Sequence, residues 1–450
     1  MGVMPVNRLL VSMAAPMMIS MLVQALYNVV DTMFVSGLGK EALTALSLAF
    51  SVQNLMIAVA TGTGVGINAL LSRSLGEKEF DRANKAAENG VFLALINYLV
   101  FLVLGVVGSR AYFSMFGASE AVVEYGTSYL MICCVLSFGL FGQVTFERLL
   151  QSVGKTTLSM VTQLMGALLN IILDPIMIYG YFGFPEMGVA GAALATVIGQ
   201  IAAFITGAIL NHKYNKEIHL QLRSFRPDGA IIRHIYSVGV PSIIMGSIGS
   251  IMTVGINQIV RLCGAVADTA QAVFGVYFKL QSFVFLQVFG LNNGMVPIIA
   301  YNYGARKKDR LVKTIKLSIM YACILMLIGF TVFQLMPETL LRSCDTGSED
   351  MVDIIAIGVP ALRRISFSFV FAGFCIVILS VFQSLGHGFL SLCVSAMRQL
   401  GVLLPVALLL AVITRSVEIM WFAFPIAEIA SVTLSALFLI HVYKKEIKNL

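Results

Sequence analysis

The sequence predicts an all-α polytopic membrane protein: about twelve spanning helices in two six-helix lobes, related by a pseudo-twofold axis along the membrane normal. Three observations lead there. The chain is 58% apolar and only 12% charged, with mean hydropathy +0.90. Soluble domains carry roughly 25% charged residues, so this chain cannot cover itself with a polar surface. Apolar stretches of about 20 residues, the length that crosses a bilayer, recur along its whole length. The second half also repeats the first, residue for residue, at several places.

On the length rule the spans fall near 10–36, 45–71, 90–112, 123–149, 157–180, 188–211, 236–261, 268–300, 315–336, 352–382, 388–413 and 416–442. They are helical, because the alternating pattern of a barrel strand is absent. The opening stretch "MGVMPVNRLLVSMAAPMM" runs into the first span without a cleavage-type site, so it reads as a spanning helix rather than a removable signal. Val6 stands where an N-myristoylation motif needs Ser or Thr, so no lipid anchor is implied. The seven cysteines lie mostly in apolar runs without metal spacing and read as small buried hydrophobes.

The even-numbered connections are basic: Arg73, Lys78, Arg82 and Lys85; Lys155; Lys213, Lys216, Arg223, Arg226 and Arg233; Arg306, Lys307, Lys308, Arg310 and Lys313. The odd-numbered ones are poor in Lys and Arg, and one is acidic, with Glu338, Asp345, Glu349, Asp350 and Asp353. The tail carries Lys444, Lys445 and Lys448. This asymmetry places both termini in the cytoplasm. The net charge of +7 then belongs to loops at a membrane surface and not to a nucleic-acid site. The polar stretch 212–234 reads as a cytoplasmic linker between an N-lobe, 1–211, and a C-lobe, 235–450.

At an offset of 228 residues, from Gly76 to Gly304, the pairs Gln53/Gln281, Gly62/Gly290, Gly66/Gly294, Asp81/Asp309, Arg82/Arg310 and Lys85/Lys313 coincide. At 232, from Gly154 to Gly386, so do Gln151/Gln383, Ser152/Ser384, Leu158/Leu390 and Ser159/Ser391. Two units of six spans keep the same orientation in the membrane, an arrangement typical of transporters. Under these offsets Asn170 and Asp174 fall on Val402 and Val406, and Asp31 falls near Asn257 or Gln258. These intramembrane acids belong to the first half alone.

An Asp at the centre of a span costs about 2.5–3.5 kcal/mol on insertion scales. Such residues face a cavity or a partner and usually mark ion or substrate pathways. In "LLNIILDPIMIYG", 168–180, Asn170 and Asp174 are four apart and share a helix face. Pro175 has no N–H, so the Ile171 carbonyl loses its usual partner. On the first span Gln24, Asn28 and Asp31 lie near one stripe, with Pro16 a few turns before them. Oxygen ligands around Asp31, Asn170 and Asp174 suit Na⁺ or a proton and not zinc. The bland alternative is a set of satisfied interhelical hydrogen bonds. In the second half Lys279, Arg398 and Glu428 lie within spans, where a Lys–Glu or Arg–Glu pair would offset their charges. Arg363, Arg364, Glu147 and Arg148 read as interfacial or structural. The five histidines sit in loops or at span ends, against a metal or catalytic centre.

The stretches "MLVQALYNVVDTMFVSGLG", "SRSLGEKEFDRANKAA", "LLNIILDPIMIYG" and "MGVAGAALATVIGQ" together resemble the MATE family of multidrug and toxic compound extrusion transporters, on its bacterial side. The resemblance covers the whole chain. It implies cation-coupled antiport by two lobes that alternate access. It also implies an N-lobe cation site built from Asp31, Asn170, Asp174 and Thr196, with Pro16 linked to bending of the first helix. The C-lobe acidic pair of some members has no counterpart in the seventh span. Gln24, Tyr27, Asn28, Lys279, Arg398 and Glu428 are candidates for a substrate cavity. The expected cargo is drug-like and cationic, exported by a monomer in the plasma membrane. No cofactor is expected beyond a coupling Na⁺ or H⁺. The alternative is a lipid-linked saccharide flippase of a related superfamily. An ATP-driven pump is excluded within this chain by the lack of a GxxxxGK[ST] loop, and no catalytic constellation supports an enzyme.

Overall fold

The structure, a computed structural model, describes residues 1–344 and 351–450. The acidic positions Asp345, Glu349 and Asp350 lie outside the described residues. The described chain is helical throughout: α1 (Val6–Ser36), α2 (Lys40–Gly76), α3 (Phe80–Ser114), α4 (Glu120–Val135), α5 (Phe138–Ser152), α6 (Thr156–Tyr179), α7 (Val189–Tyr214), α8 (Gly229–Val260), α9 (Ala267–Gly304), α10 (Lys308–Leu335), α11 (Pro337–Ser343), α12 (Met351–Ser366), α13 (Phe369–Ser384), α14 (Gly388–Ala396), α15 (Leu404–Thr414), α16 (Val417–Met420) and α17 (Ala423–Val442). Ten helices or helix runs are long and apolar enough to cross a membrane, and twelve spans result when α4–α5 and α12–α13 each count as one.

Those two pairs depart from the continuous spans expected over 123–149 and 352–382. They bend by 44° and 49°, each at a two-residue break that ends in a serine followed by Phe, Leu136–Ser137 before Phe138 and Phe367–Ser368 before Phe369. Both serines turn their hydroxyls back on the chain, Ser137 to the Cys134 carbonyl and Ser368 to the Ile365 carbonyl. That contact competes with the regular backbone ladder. The linker is shorter than the polar composition suggests. Helix α7 runs to Tyr214, and α8 begins at Gly229 because the Asp228 carboxylate caps the Ala230 and Ile231 amides. The connection between α7 and α8 is therefore 215–228, with a short 3-10 turn at Leu222–Ser224, rather than 212–234.

The sequence repeat has structural counterparts. Lys78 and Arg306, 228 apart, both adopt left-handed backbone with φ 62° and 54°. The turns they form are closed by matching bonds, Glu79 N–H to the Ser74 carbonyl and Lys307 N–H to the Asn302 carbonyl, each 2.9 Å. Gly154 and Gly386 repeat the feature with φ 85° and 91°, a region where a side chain is strained.

The glycines of the repeat lie where the halves meet. Helix α2 packs on α8 and α9, and α1 packs on α9. A Cβ on Gly76 would run into the Tyr301 carbonyl, and one on Gly304 into the Arg73 carbonyl. The contact is reciprocal, as a twofold axis between α2 and α9 requires. Gly62 and Gly66 similarly admit the α8 backbone at Ile243 and Ile235, while Gly290 and Gly294 admit α1 at Met18 and Ala14. Small residues let helix backbones approach closely where lipid offers no hydrophobic drive for association. The equivalent turns meet at one end, so the two units run the same way.

That shared end is the basic one. Arg310 binds the Met1 and Met4 carbonyls, Lys307 the Gly2 carbonyl, and Lys155 the Tyr214 carbonyl and Glu217. His387 and Tyr303 both meet Glu446. Toward the opposite end the cross-half hydrogen bonds among the described residues stop at Asn54–Ser250, 3.3 Å. The halves are thus hydrogen-bonded to one another from the basic end as far as mid-helix.

Candidate functional site

Asp31 and Asp174 come together between α1 and α6, two helices in extensive contact. Asp174 is fully buried and Asn170 nearly so. Both face inward from α6 because positions four apart share a side. With its amide turned to satisfy its neighbours, Asn170 donates to Asp174 Oδ2 at 2.9 Å and accepts from the Thr196 N–H at 3.0 Å and the Thr196 hydroxyl at 3.2 Å. Thr196 comes from α7, which packs tightly on α6: Gly166 and Gly199 each face the other's backbone carbonyl. Asp31 approaches from α1, its carboxyl group within hydrogen-bonding range of that of Asp174. The Tyr179 hydroxyl donates to the Phe34 carbonyl at 2.6 Å, tying the same two helices one turn further along.

Two ionised carboxylates cannot hydrogen-bond to one another, so their contact needs a shared proton or a cation in its place. Asp31 Oδ1 and Asp174 Oδ1 have no other partner. The cluster thus offers two carboxylates and neutral oxygens, a set suited to a hard monovalent cation or a proton. Neither proline interrupts its helix: α1 continues through Pro16 and α6 through Pro175.

Other expected residues are distributed differently. The Tyr27 hydroxyl lies against Thr196, so this side chain belongs to the acid cluster rather than to a separate substrate cavity. Gln24 and Asn28 are exposed on α1. In the second half the structure selects one of the two expected pairs. Arg398 meets Glu428 at 3.2 Å, with both side chains largely buried. Lys279 is exposed on α9 and takes no part. Arg398 lies in a π-helical segment, Met397–Leu403, a feature that often marks functional positions within a helix. Arg364 pairs with Glu418 at 2.9 Å.

Four residues of the site, Gln53, Tyr129, Cys133 and Gln200, escaped the sequence reading. Tyr129 and Gln53 face each other near Asp31, and the Gln53 amide reaches Cys133 Sγ at 3.6 Å. Gln53, Cys133, Thr196 and Gln200 line a small cavity next to the cluster. The one available signal was Gln53, a repeated residue whose partner Gln281 instead accepts from the Tyr277 hydroxyl. Glu147 and Arg148, expected to be interfacial or structural, are buried and half-buried respectively.

With this geometry in view, the chain was compared with known proteins. The MatE family model matches it in two stretches, 16–176 and 241–409, one in each half. The chain is 25% identical to the multidrug export protein MepA of Staphylococcus haemolyticus over 90% of its own length and 87% of the relative's. It is 27% identical to an FAD transporter of Shewanella oneidensis, over 70% of each chain. An outward-facing structure of a multidrug resistance MATE family transporter superposes with a TM-score of 0.92 at 25% identity, covering 99% of this chain and 97% of the other. This chain belongs to the MatE family, the MATE multidrug efflux transporters, and is a multi-pass membrane transporter rather than an enzyme.

Proposed function

We propose that the protein exports amphipathic organic cations in exchange for Na⁺ or H⁺, with the two halves exposing a shared cavity alternately to either side of the plasma membrane. The basic end and both termini face the cytoplasm under the positive-inside rule. The protein works as a monomer in lipid, with no cofactor beyond the coupling ion.

The observation that carries this reading is the Asp31–Asp174 contact, backed by Asn170 and Thr196. One cation between the carboxylates offsets their repulsion and fixes how α1 sits against α6. Its loss frees α1 to move. Pro16 and Pro175 lie in those two helices and lower the cost of bending them. Because α1 also packs on α9, ion occupancy is linked to the contact between halves. A ligand shifts a conformational equilibrium by its difference in affinity for the two states, and this site supplies the difference.

A second reading has one observation in its favour: the relative named as an FAD transporter points to an anionic dinucleotide as cargo. The saccharide-lipid flippase reading draws on no comparable observation. Proteoliposomes with imposed Na⁺ or pH gradients separate these readings. An ethidium-like dye should move against its gradient under one of the two ions. Movement of FAD or of a saccharide lipid alone would overturn the organic-cation assignment.

A further inference from the structure

The second half carries a cation that no acid neutralises. Arg398 and Arg364 each meet a glutamate. Lys279, on α9, meets no acid among the described residues, and only its carbonyl is engaged, accepting from the Ser282 hydroxyl at 2.6 Å. Its direction follows from helix geometry. Lys279 stands 11 residues before Gly290 and 25 before Gly304, about three and about seven whole turns. It therefore points the way those two glycines do. Gly290 receives the α1 backbone at Met18, and Gly304 meets α2 at Arg73. Lys279 thus faces the first half, between α1 and α2.

The contact between halves is lost at this level. A Cβ on Gly290 would lie 2.7 Å from Met18 Cα, whereas one on Gly275, four residues before Lys279, would have no atom within 4 Å. Lys279 is itself exposed. Helix α1 runs antiparallel to α9 through the pairs Ala14–Gly294 and Met18–Gly290. Carried 11 residues further, that pairing sets Lys279 level with Val29, between the exposed Asn28 and Thr32. Asp31 stands at the same level and turns toward Asp174. Helix α9 supplies a second donor: the Gln287 side-chain nitrogen, about two turns before Gly294, is buried without a partner. At the repeat offset Lys279 and Gln287 correspond to Ser51 and Val59, so both donors belong to the second half alone.

We propose that Lys279 is a specificity-determining residue of a cargo cleft between the halves. It receives an anionic group, a carboxylate or a phosphate, of a cargo whose cationic part lies toward the acid-bearing wall of α1. The Gln287 amide is a neutral donor to an acceptor deeper in the gap. An unpaired cation within a span is kept where it meets water or a ligand. The ammonium has three donors on a flexible stem and fits an anionic oxygen without a fixed geometry. Acid and base stand on opposite walls, so a molecule that bears both charges matches both walls. A purely cationic one faces Lys279 with like charge, which selects against it. The inference rests on the efflux reading above and deepens it, favouring zwitterionic over purely cationic amphiphiles. Its test reads binding and does not require transport.

The probes are a zwitterionic rhodamine with a free carboxylate and its methyl ester, which keeps the cation and loses the anion. Binding to the full chain is read by fluorescence polarisation in maltoside detergent. The wild type should bind the zwitterion more tightly than the ester. Lys279→Gln should weaken binding of the zwitterion by about 10-fold, the scale of a charge-assisted hydrogen bond, and leave the ester unchanged or tighter. Lys279→Arg should restore the zwitterion. A lysine that only supported the fold would alter both probes together. A wild type that binds the two equally or prefers the ester would overturn the proposal even if no variant folds. So would a Lys279→Gln variant that keeps the zwitterion or loses both probes alike. Nanodiscs containing phosphatidylglycerol separate cargo from lipid. The preference should persist there, and its loss would assign Lys279 to a lipid phosphate and overturn the cargo role. The efflux reading fails separately: if neither probe moves under a Na⁺ or pH gradient while the Lys279-dependent preference holds, export falls and this assignment stands.

Discussion

The two halves share a scaffold but neutralise their buried carboxylates in opposite ways. In the first half Asp31 meets Asp174, and acid faces acid. In the second, Glu428 meets Arg398 at 3.2 Å. The framework around them is duplicated down to turn angles and glycine contacts, and on it the two halves carry differently charged pairs. An acid–acid contact is incomplete without a cation, whereas an acid–base contact is already neutral. A duplicated transporter can therefore keep its mechanics symmetric and place ion coupling in one half. The sharpest way to break this comparison is to remove one acid from each half. Asp31→Asn or Asp174→Asn should insert and fold normally, since losing the charge lowers the cost of burial. Each should lose gradient-driven efflux completely while still binding substrate. Efflux from either variant at the wild-type rate under both Na⁺ and pH gradients would show that the acid pair is structural.

Glu428→Gln should behave in the opposite way. It leaves Arg398 buried and uncompensated, which costs about 3–5 kcal/mol when a buried pair loses one partner. The variant should melt early, but the fraction that folds should couple normally. Replacing both residues, as Arg398→Met with Glu428→Leu, should recover most of the stability, because a well-packed apolar pair is often as good as a buried ion pair. Thermal unfolding in detergent reads the first effect and vesicle efflux the second. A stable double variant that has lost coupling would place a functional charge in the second half and undo the contrast.

Much of this was legible beforehand because membrane sequence is a strong constraint. The spans followed from apolar length. The acid cluster followed from three polar residues and a proline that an apolar helix has no reason to carry. The positions that escaped depend on packing between distant segments. Gln163 finds Glu147 across helices, and nothing in "FERLLQ" announces that Glu147 turns inward. The breaks after α4 and α12 occur in stretches as apolar as their surroundings, with only a Ser–Phe step to mark them. Tyr27 lies on the expected helix, but its hydroxyl reaches Thr196 only once α7 is in place. The choice of Arg398 over Lys279 as partner of Glu428 likewise depends on how α17 packs against the π-helical segment.

The mechanical half of the comparison is tested by the glycines. Gly66→Ala would push the new methyl into the Ile235 carbonyl, and Gly294→Ala into the α1 backbone at Ala14. Overpacking of this kind costs about 1–3 kcal/mol. Here it falls on the state in which the basic end is closed. If the scaffold is symmetric, the two substitutions should shift the closed state by similar amounts, read as a longer distance between labels at Lys213 and Lys313. A large effect at one position and none at its counterpart would show that the halves differ in mechanics as well as in charge.

The smallest effect expected is that of Thr196→Ala, and it tests how the acid cluster divides its work. The Thr196 hydroxyl donates to the Asn170 side-chain oxygen, and the Thr196 backbone N–H donates to the same oxygen at 3.0 Å. The backbone bond survives the substitution, so Asn170 stays oriented toward Asp174. The hydroxyl contact to Tyr27 is lost as well, but Tyr27 remains held by the packing of α1. What disappears is one neutral oxygen near the carboxylates, worth about 0.5–1.5 kcal/mol. The ion concentration for half-maximal efflux should therefore rise roughly 2- to 10-fold, with the maximal rate unchanged. Thr196→Ser, which keeps the hydroxyl, should restore the wild-type value. A Thr196→Ala variant as inactive as Asp174→Asn would mean that the hydroxyl, and not the carboxylate pair, sets the ion's position, and the contrast between acid–acid and acid–base halves would lose its basis.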